Sequence, residues 1–127
     1  MSISNYAELK ILDAVLRFTT TGGGLPTASV YVSLHTADPG ETGASEATGG
    51  SYARQQAAFN AASGGVSVNT AVVAFTGMPA ATITHIGLWD AASAGNFLWS
   101  GSFSASQAVL VGNTVSIAAG TISVSLD

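Results

Sequence analysis

Few side chains in this sequence are equipped for chemistry, and their spacing limits what that chemistry is. His35 and His85 are the two imidazoles, Arg54 is the one cation beyond the first helical stretch, and cysteine is absent. Without cysteine there are no thiol nucleophiles, disulfides, Cys-ligated zinc sites or iron–sulfur centres. A Ser-His-Asp relay can be drawn on paper from either histidine, Asp38 or Asp90, and one of many serines. No Gly-x-Ser-x-Gly turn exists to expose a nucleophile. Hydrolysis of sugars needs two facing carboxylates, and nothing in the spacing brings two acids together. The chain therefore reads as non-enzymatic, with both histidines as hydrogen-bonded structural residues on strands.

Asp38, Glu41 and Glu46 fall in the long loop 36–50. With loop carbonyls they form an oxygen-rich set of the kind that holds Ca²⁺, but their spacing matches no EF-hand. No metal and no cofactor are expected. Asp38-Pro39-Gly40 reads as a turn, and the three acids read as surface contacts of the loop. Tyr52 and Arg54 lie two residues apart, so a strand places them on one face, where Arg54 pairs with a loop acid or stacks on an aromatic ring. Trp89, Trp99 and Tyr52 admit a second reading, a stacking platform for sugars.

The elements that must position these residues begin with a helix over 5–18. Asn5 and Glu8 have capping-box spacing. Tyr6, Leu9, Leu12 and Leu16 repeat on one side while Lys10, Asp13 and Arg17 share another. The apolar sector, widened by Ile11, Val15 and Phe18, calls for a sheet or a neighbouring subunit to cover it. Thr19 to Gly24 end the helix and supply a Gly22-Gly23-Gly24 hinge.

From Ser29 the period becomes two. Val30, Val32 and Leu34 alternate with Tyr31, Ser33 and His35 as in a half-buried strand. Further strands are expected over 51–59, 66–76, 82–90, 96–104, 107–111, 114–118 and 121–126. Such spacing favours an antiparallel β-sandwich or jelly-roll-like domain over 25–127, preceded by a helix-and-hinge segment over 1–24. A turn over 91–95 sets Trp89 opposite Trp99 as an aromatic pair, Gly87 opposite Gly101 and His85 opposite Phe103.

The chain has 127 residues, of which only 8% are charged, and more than half are Gly, Ala, Ser or Thr. From Gln55 to Leu126 the sole formal charge is Asp90. Charge depletion marks interface cores, so much of the later surface is expected to be covered by sister subunits in a symmetric assembly. Three basic against seven acidic residues build no phosphate-binding stripe, so nucleic acid is not an expected partner. No apolar run approaches the roughly 20 residues of a membrane span. The N-terminus shows no secretory pattern, which makes synthesis in a cytoplasm the expectation.

Five strings carry a family resemblance: Asn5-Tyr6-Ala7-Glu8-Leu9-Lys10-Ile11-Leu12-Asp13, then Val30-Tyr31-Val32-Ser33-Leu34-His35-Thr36-Ala37-Asp38-Pro39-Gly40 and Gly50-Ser51-Tyr52-Ala53-Arg54, then Ile83-Thr84-His85-Ile86-Gly87-Leu88-Trp89-Asp90 with Gly95-Asn96-Phe97-Leu98-Trp99-Ser100-Gly101. Together they resemble a family of small virion proteins of tailed bacteriophages, many described as tail-fibre-like, with head-decoration proteins among similar β-domains. The resemblance implies a structural or accessory role in the virion, made in the host cytoplasm and working in many copies. The expected partners are its own copies, with a trimer preferred, and other virion proteins. Tyr6, Leu9, Leu12 and Leu16 are the expected anchor. The alternative is a host-surface or glycan-binding module using loop 36–50 and exposed aromatics.

Overall fold

In a computed structural model, the described residues are 2–16 and 29–125. Among the described residues the fold is mainly β, with antiparallel pairing throughout and one short helix near the N-terminus. In chain order the elements are β1 (Ser2–Ile3), α1 (Asn5–Leu16), β2 (Val30–His35), β3 (Gln55–Ala57), β4 (Val66–Val68), β5 (Val73–Phe75), β6 (Ala81–Trp89), β7 (Phe97–Val109), β8 (Val115–Ile117) and β9 (Ser123–Ser125). Five of them form a sheet in the order β1-β7-β6-β2-β3, while β4 pairs with β9 and β5 with β8. One apolar cluster joins Val32, Leu34, Ile86 and Leu88 of the large sheet to Val73, Phe75 and Ile117 of the β5–β8 ladder and to Ile122 just before β9, which makes a two-layer β-sandwich.

The alternating segment 30–35 is a strand, but not a half-buried one. Val32, Ser33, Leu34 and His35 are all buried, because loop 36–50 folds back over the face that the sandwich layer leaves open. Gly43 lies against the rings of Trp89 and Phe97 so closely that any Cβ there would overlap both. Beyond Val32 the outer edge of β2 is finished by the loop itself. Leu34 accepts from the Ala47 N–H at 2.8 Å, and the Thr36 N–H donates to the Ser45 carbonyl at 3.0 Å.

The expected strand over 66–76 is broken in two by Asn69, which is buried and fully paired. Its side chain donates to the carbonyls of Ala71 (2.9 Å) and Ala118 (3.1 Å) and accepts from the Ile122 N–H at 2.8 Å. This amide staples the β4–β5 connection to the β8–β9 connection, which diverts the backbone from continuous pairing. The two strands expected at 96–104 and 107–111 are instead one, β7.

The β6–β7 register differs from the expected one. Trp89 faces Phe97, Leu88 faces Trp99, Gly87 faces Ser100, Ile86 faces Gly101 and His85 faces Ser102. An extra residue, Leu98, is accommodated between the Trp89–Phe97 and Leu88–Trp99 pairs, and this bulge sets the register as far as His85–Ser102; a second irregularity between His85 and Ile83 shifts the ladder again, so that Ile83 faces Gln107 and Ala81 faces Val109. Since neighbouring strand residues point to opposite faces, Trp89 and Trp99 lie on opposite sides of the sheet and do not form an aromatic pair.

The helix is capped one residue earlier than its sequence suggests. Ser4 accepts from the Ala7 N–H at 3.3 Å and donates to the Phe97 carbonyl at 2.7 Å. The Asn5 N–H is met by Glu41, 36 residues away, at 2.8 Å. A carboxylate at this end also suits the helix dipole. The Gly22-Gly23-Gly24 hinge lies outside the described residues, as do Arg17 and Phe18. No described helix is long and apolar enough to cross a membrane.

Candidate functional site

Two features stand out from the framework: a polar network sealed under loop 36–50, and a row of leucines left bare on α1. The network starts at Trp89, whose indole N–H donates to Ser33 Oγ at 2.9 Å. Ser33 Oγ lies 2.6 Å from His35 Nε2, and His35 Nδ1 lies 2.7 Å from the Ala44 carbonyl. A carbonyl only accepts, so Nδ1 carries the ring proton and Nε2 accepts from Ser33. Burial pulls the His35 pKa below its usual value, against the opposing pull of the Ala44 carbonyl and Glu46. The site therefore holds a neutral imidazole.

Gly87 makes this arrangement possible. A Cβ there would sit 2.6 Å from Ser33 Oγ, 2.6 Å from the Phe97 ring and 2.8 Å from His35 Nε2. The Ser33–His35 pair has the contact distance of a nucleophile and its base, yet both residues are 0% exposed. The ring is oriented by a peptide carbonyl and not by an acid. What this geometry does is tie β2, β6 and the loop together.

Arg54 closes the other end. It grips Glu46 with two bonds, Nε to Oε1 at 2.9 Å and Nη2 to Oε2 at 2.8 Å. Nη1 donates to the carbonyls of Ala91 (3.2 Å) and Ala94 (2.8 Å), and the guanidinium carbon stacks 3.5 Å above the Trp89 ring. Both roles open to Arg54 in the sequence, acid pairing and aromatic stacking, are therefore filled at once. Tyr52 donates to Glu46 at 3.0 Å and accepts from the Leu34 N–H at 3.0 Å. Burial would raise the Glu46 pKa, but the hydrogen bonds from Arg54 and Tyr52 and the Arg54 charge hold it below the usual carboxylate value. Burial, with Glu46 beside it, pushes the Tyr52 hydroxyl well up.

The three loop acids do not converge. Asp38 accepts from the Gly40 N–H within its own turn, Glu41 caps α1, and Glu46 holds Arg54. Among the described residues no three His, Asp or Glu side chains stand together as a metal would require. His85 is apart from the network, bonded through Nδ1 to Thr84 Oγ1 at 2.8 Å and bordering a cleft of about 530 Å³ with Ser100 and Ser102. The sugar platform is not formed. Trp89 is covered by Arg54 and Phe97, Tyr52 stacks on Phe75 at 5.9 Å, and Trp99 turns to the opposite layer, where it borders an apolar cavity of about 210 Å³.

On α1, Leu9, Leu12 and Leu16 are 63%, 53% and 70% exposed. The helix packs on the sheet through Ala7, which is buried, so its leucines face away. Tyr6, expected in the same row, is half-buried, with the Lys10 ammonium 5.3 Å from its ring centre. Sequence reasoning passed over Ser33, Gly43, Gly87 and Phe97 as members of the sealed network. Only the two glycines bore a signal, as positions where ring atoms pack onto bare backbone.

A mainly β chain in which Glu41, Glu46, Arg54 and Asp90 are spent on internal fastening has the make-up of a structural part. It belongs to the family of the podophage GP4 fiber I protein gp80, whose match runs over residues 2–125, and so to a family of phage virion structural proteins. No curated protein matches the chain.

Proposed function

We propose that this chain is a non-enzymatic, tail-fibre-like structural component of a tailed-phage particle, present in many copies and attached to other virion proteins. The family match over residues 2–125 carries this reading. The sealed Ser33–His35 pair supports the non-enzymatic part, since a nucleophile needs access to its substrate. The neutral stretch from Gln55 onward supports contact between copies, and we propose a trimer as their arrangement. Residues 1–24 serve attachment and 25–127 supply the sandwich apart from its edge strand β1, which with Ser4 and Ala7 fastens the first part to the second. Tyr6, Leu9, Leu12 and Leu16 are the proposed anchor.

Synthesis takes place in the host cytoplasm and the working location is the virion. The test is to find the chain in a reconstruction of purified particles. Density for it on the tail fibre is the expected result, and its absence from particles overturns the proposal. Native mass spectrometry of the isolated assembly checks the trimer, which a monomer or dimer refutes.

A further inference from the structure

We propose that the leucine row of α1 docks on a helix of another virion protein, one whose apolar seam is flanked by Lys or Arg, and not on a second copy of this chain. This rests on reading the chain as a virion component. Leu9, Leu12 and Leu16 are separated by three and then four residues, the spacing of positions a, d and a in a heptad. In the same frame Ala7 and Ile11 fall at f and c, away from the seam, and this is the side on which Ala7 is buried against the sandwich. The sheet thus holds the helix by the side that carries Ala7 and presents a seam shaped for another helix.

The choice of occupant follows from charge. In this heptad frame the charged residues at the flanking e and g positions are both acids, Glu8 at g and Asp13 at e. A parallel pair of identical helices sets g of one heptad against e of the next on the partner, which brings Glu8 onto Asp13 of the other copy. An antiparallel pair sets e against e and g against g, again acid against acid. Like charges in these places oppose pairing. The chain also has few cations with which to answer them. Among the described residues, Arg54 is committed to Glu46 and Lys10 lies over Tyr6. Glu41, at the start of the helix, extends the acidic border. A partner helix with basic flanks satisfies the seam and the border together.

The experiment measures binding of the full-length chain to two labelled heptad peptides by fluorescence anisotropy. Both peptides carry Leu at a and d; one has Lys at e and g, the other Glu. The Lys peptide is expected to bind on the order of tenfold tighter, with the difference shrinking in high salt. The chain carrying Leu9→Ser, Leu12→Ser and Leu16→Ser should lose binding, and since these side chains are exposed its near-ultraviolet circular dichroism should not change. Glu8→Lys with Asp13→Lys should reverse the preference. Equal affinity for the two peptides overturns the proposal, as does binding that survives loss of the leucines. Self-association of the native chain that Leu12→Glu abolishes would assign the seam to a second copy. Adsorption to lipid vesicles that depends on the same leucines would assign it to a membrane surface. A chain found in particles but indifferent to the peptide flanks defeats this inference alone, whereas a chain missing from particles defeats the reading beneath it.

Discussion

Among the described residues, His35 and Glu46 are those through which falling pH acts on this protein. Both have folded-state pKa values below their ordinary ones, for different reasons. His35 is held neutral by burial, and Glu46 is held ionised by Arg54 and Tyr52. As pH falls below about 6.5 the unfolded chain takes up a proton that folded His35 refuses. Below about 4.5 it takes up another that folded Glu46 refuses. In both windows the unfolded state binds more protons, so stability declines with falling pH. Denaturant titrations along a pH series should show two successive losses, and His35→Gln should remove the first. Gly87 acts through space. Gly87→Ala places a methyl among three atoms less than 3 Å away and should cost about 1–3 kcal/mol of unfolding free energy. A variant as stable as the native chain would show that the Ser33–His35 contact is not tightly packed.

At the scale of elements, the β6–β7 hairpin shows how one bulge redistributes aromatic side chains. The turn is fastened by Asp90, whose carboxylate accepts from the Asn96 backbone N–H at 2.7 Å and from its side-chain amide at 2.8 Å. That lone charge of the later chain therefore has a structural task. With Leu98 absorbed in the bulge, Trp89 meets Phe97 edge-on at 5.1 Å, while Trp99 points from the opposite face of the same sheet. A double-mutant cycle on Trp89 and Phe97 should return a coupling of about 0.5–1.5 kcal/mol. The same cycle on Trp89 and Trp99 should return a value near zero. Significant coupling between the tryptophans would restore the register in which they face each other. The alternation of polar and apolar residues located β2, β6 and the start of β7 well. It carried no mark of the bulge, since Leu98 is an ordinary strand residue. Asn69 was equally silent, because a buried amide is recognised only by the carbonyls that surround it.

For the whole molecule, charge distribution separates two kinds of contact. The acids cluster near α1 and loop 36–50, and the sandwich strands are almost neutral. Contacts between copies through the sandwich should therefore be insensitive to salt, whereas docking through α1 should weaken as salt rises. Sedimentation velocity of the native chain over a salt series checks the first expectation. Dissociation of the assembly on adding salt would refute it. The sequence alone was sufficient for the β-rich class, the N-terminal helix, the absence of thiol chemistry and the virion family, because these follow from composition, period and local strings. Only the tertiary structure decided that loop 36–50 seals the second face of β2, that Ser33, His35 and Trp89 form one network, and that the leucines of α1 point outward. Those outcomes depend on which distant surfaces meet. Hydrophobicity along the helix favours the leucines over Ala7 as the buried side, yet β1 and the Ser4 cap fix the helix on β7 with Ala7 inward and Leu9, Leu12 and Leu16 outward.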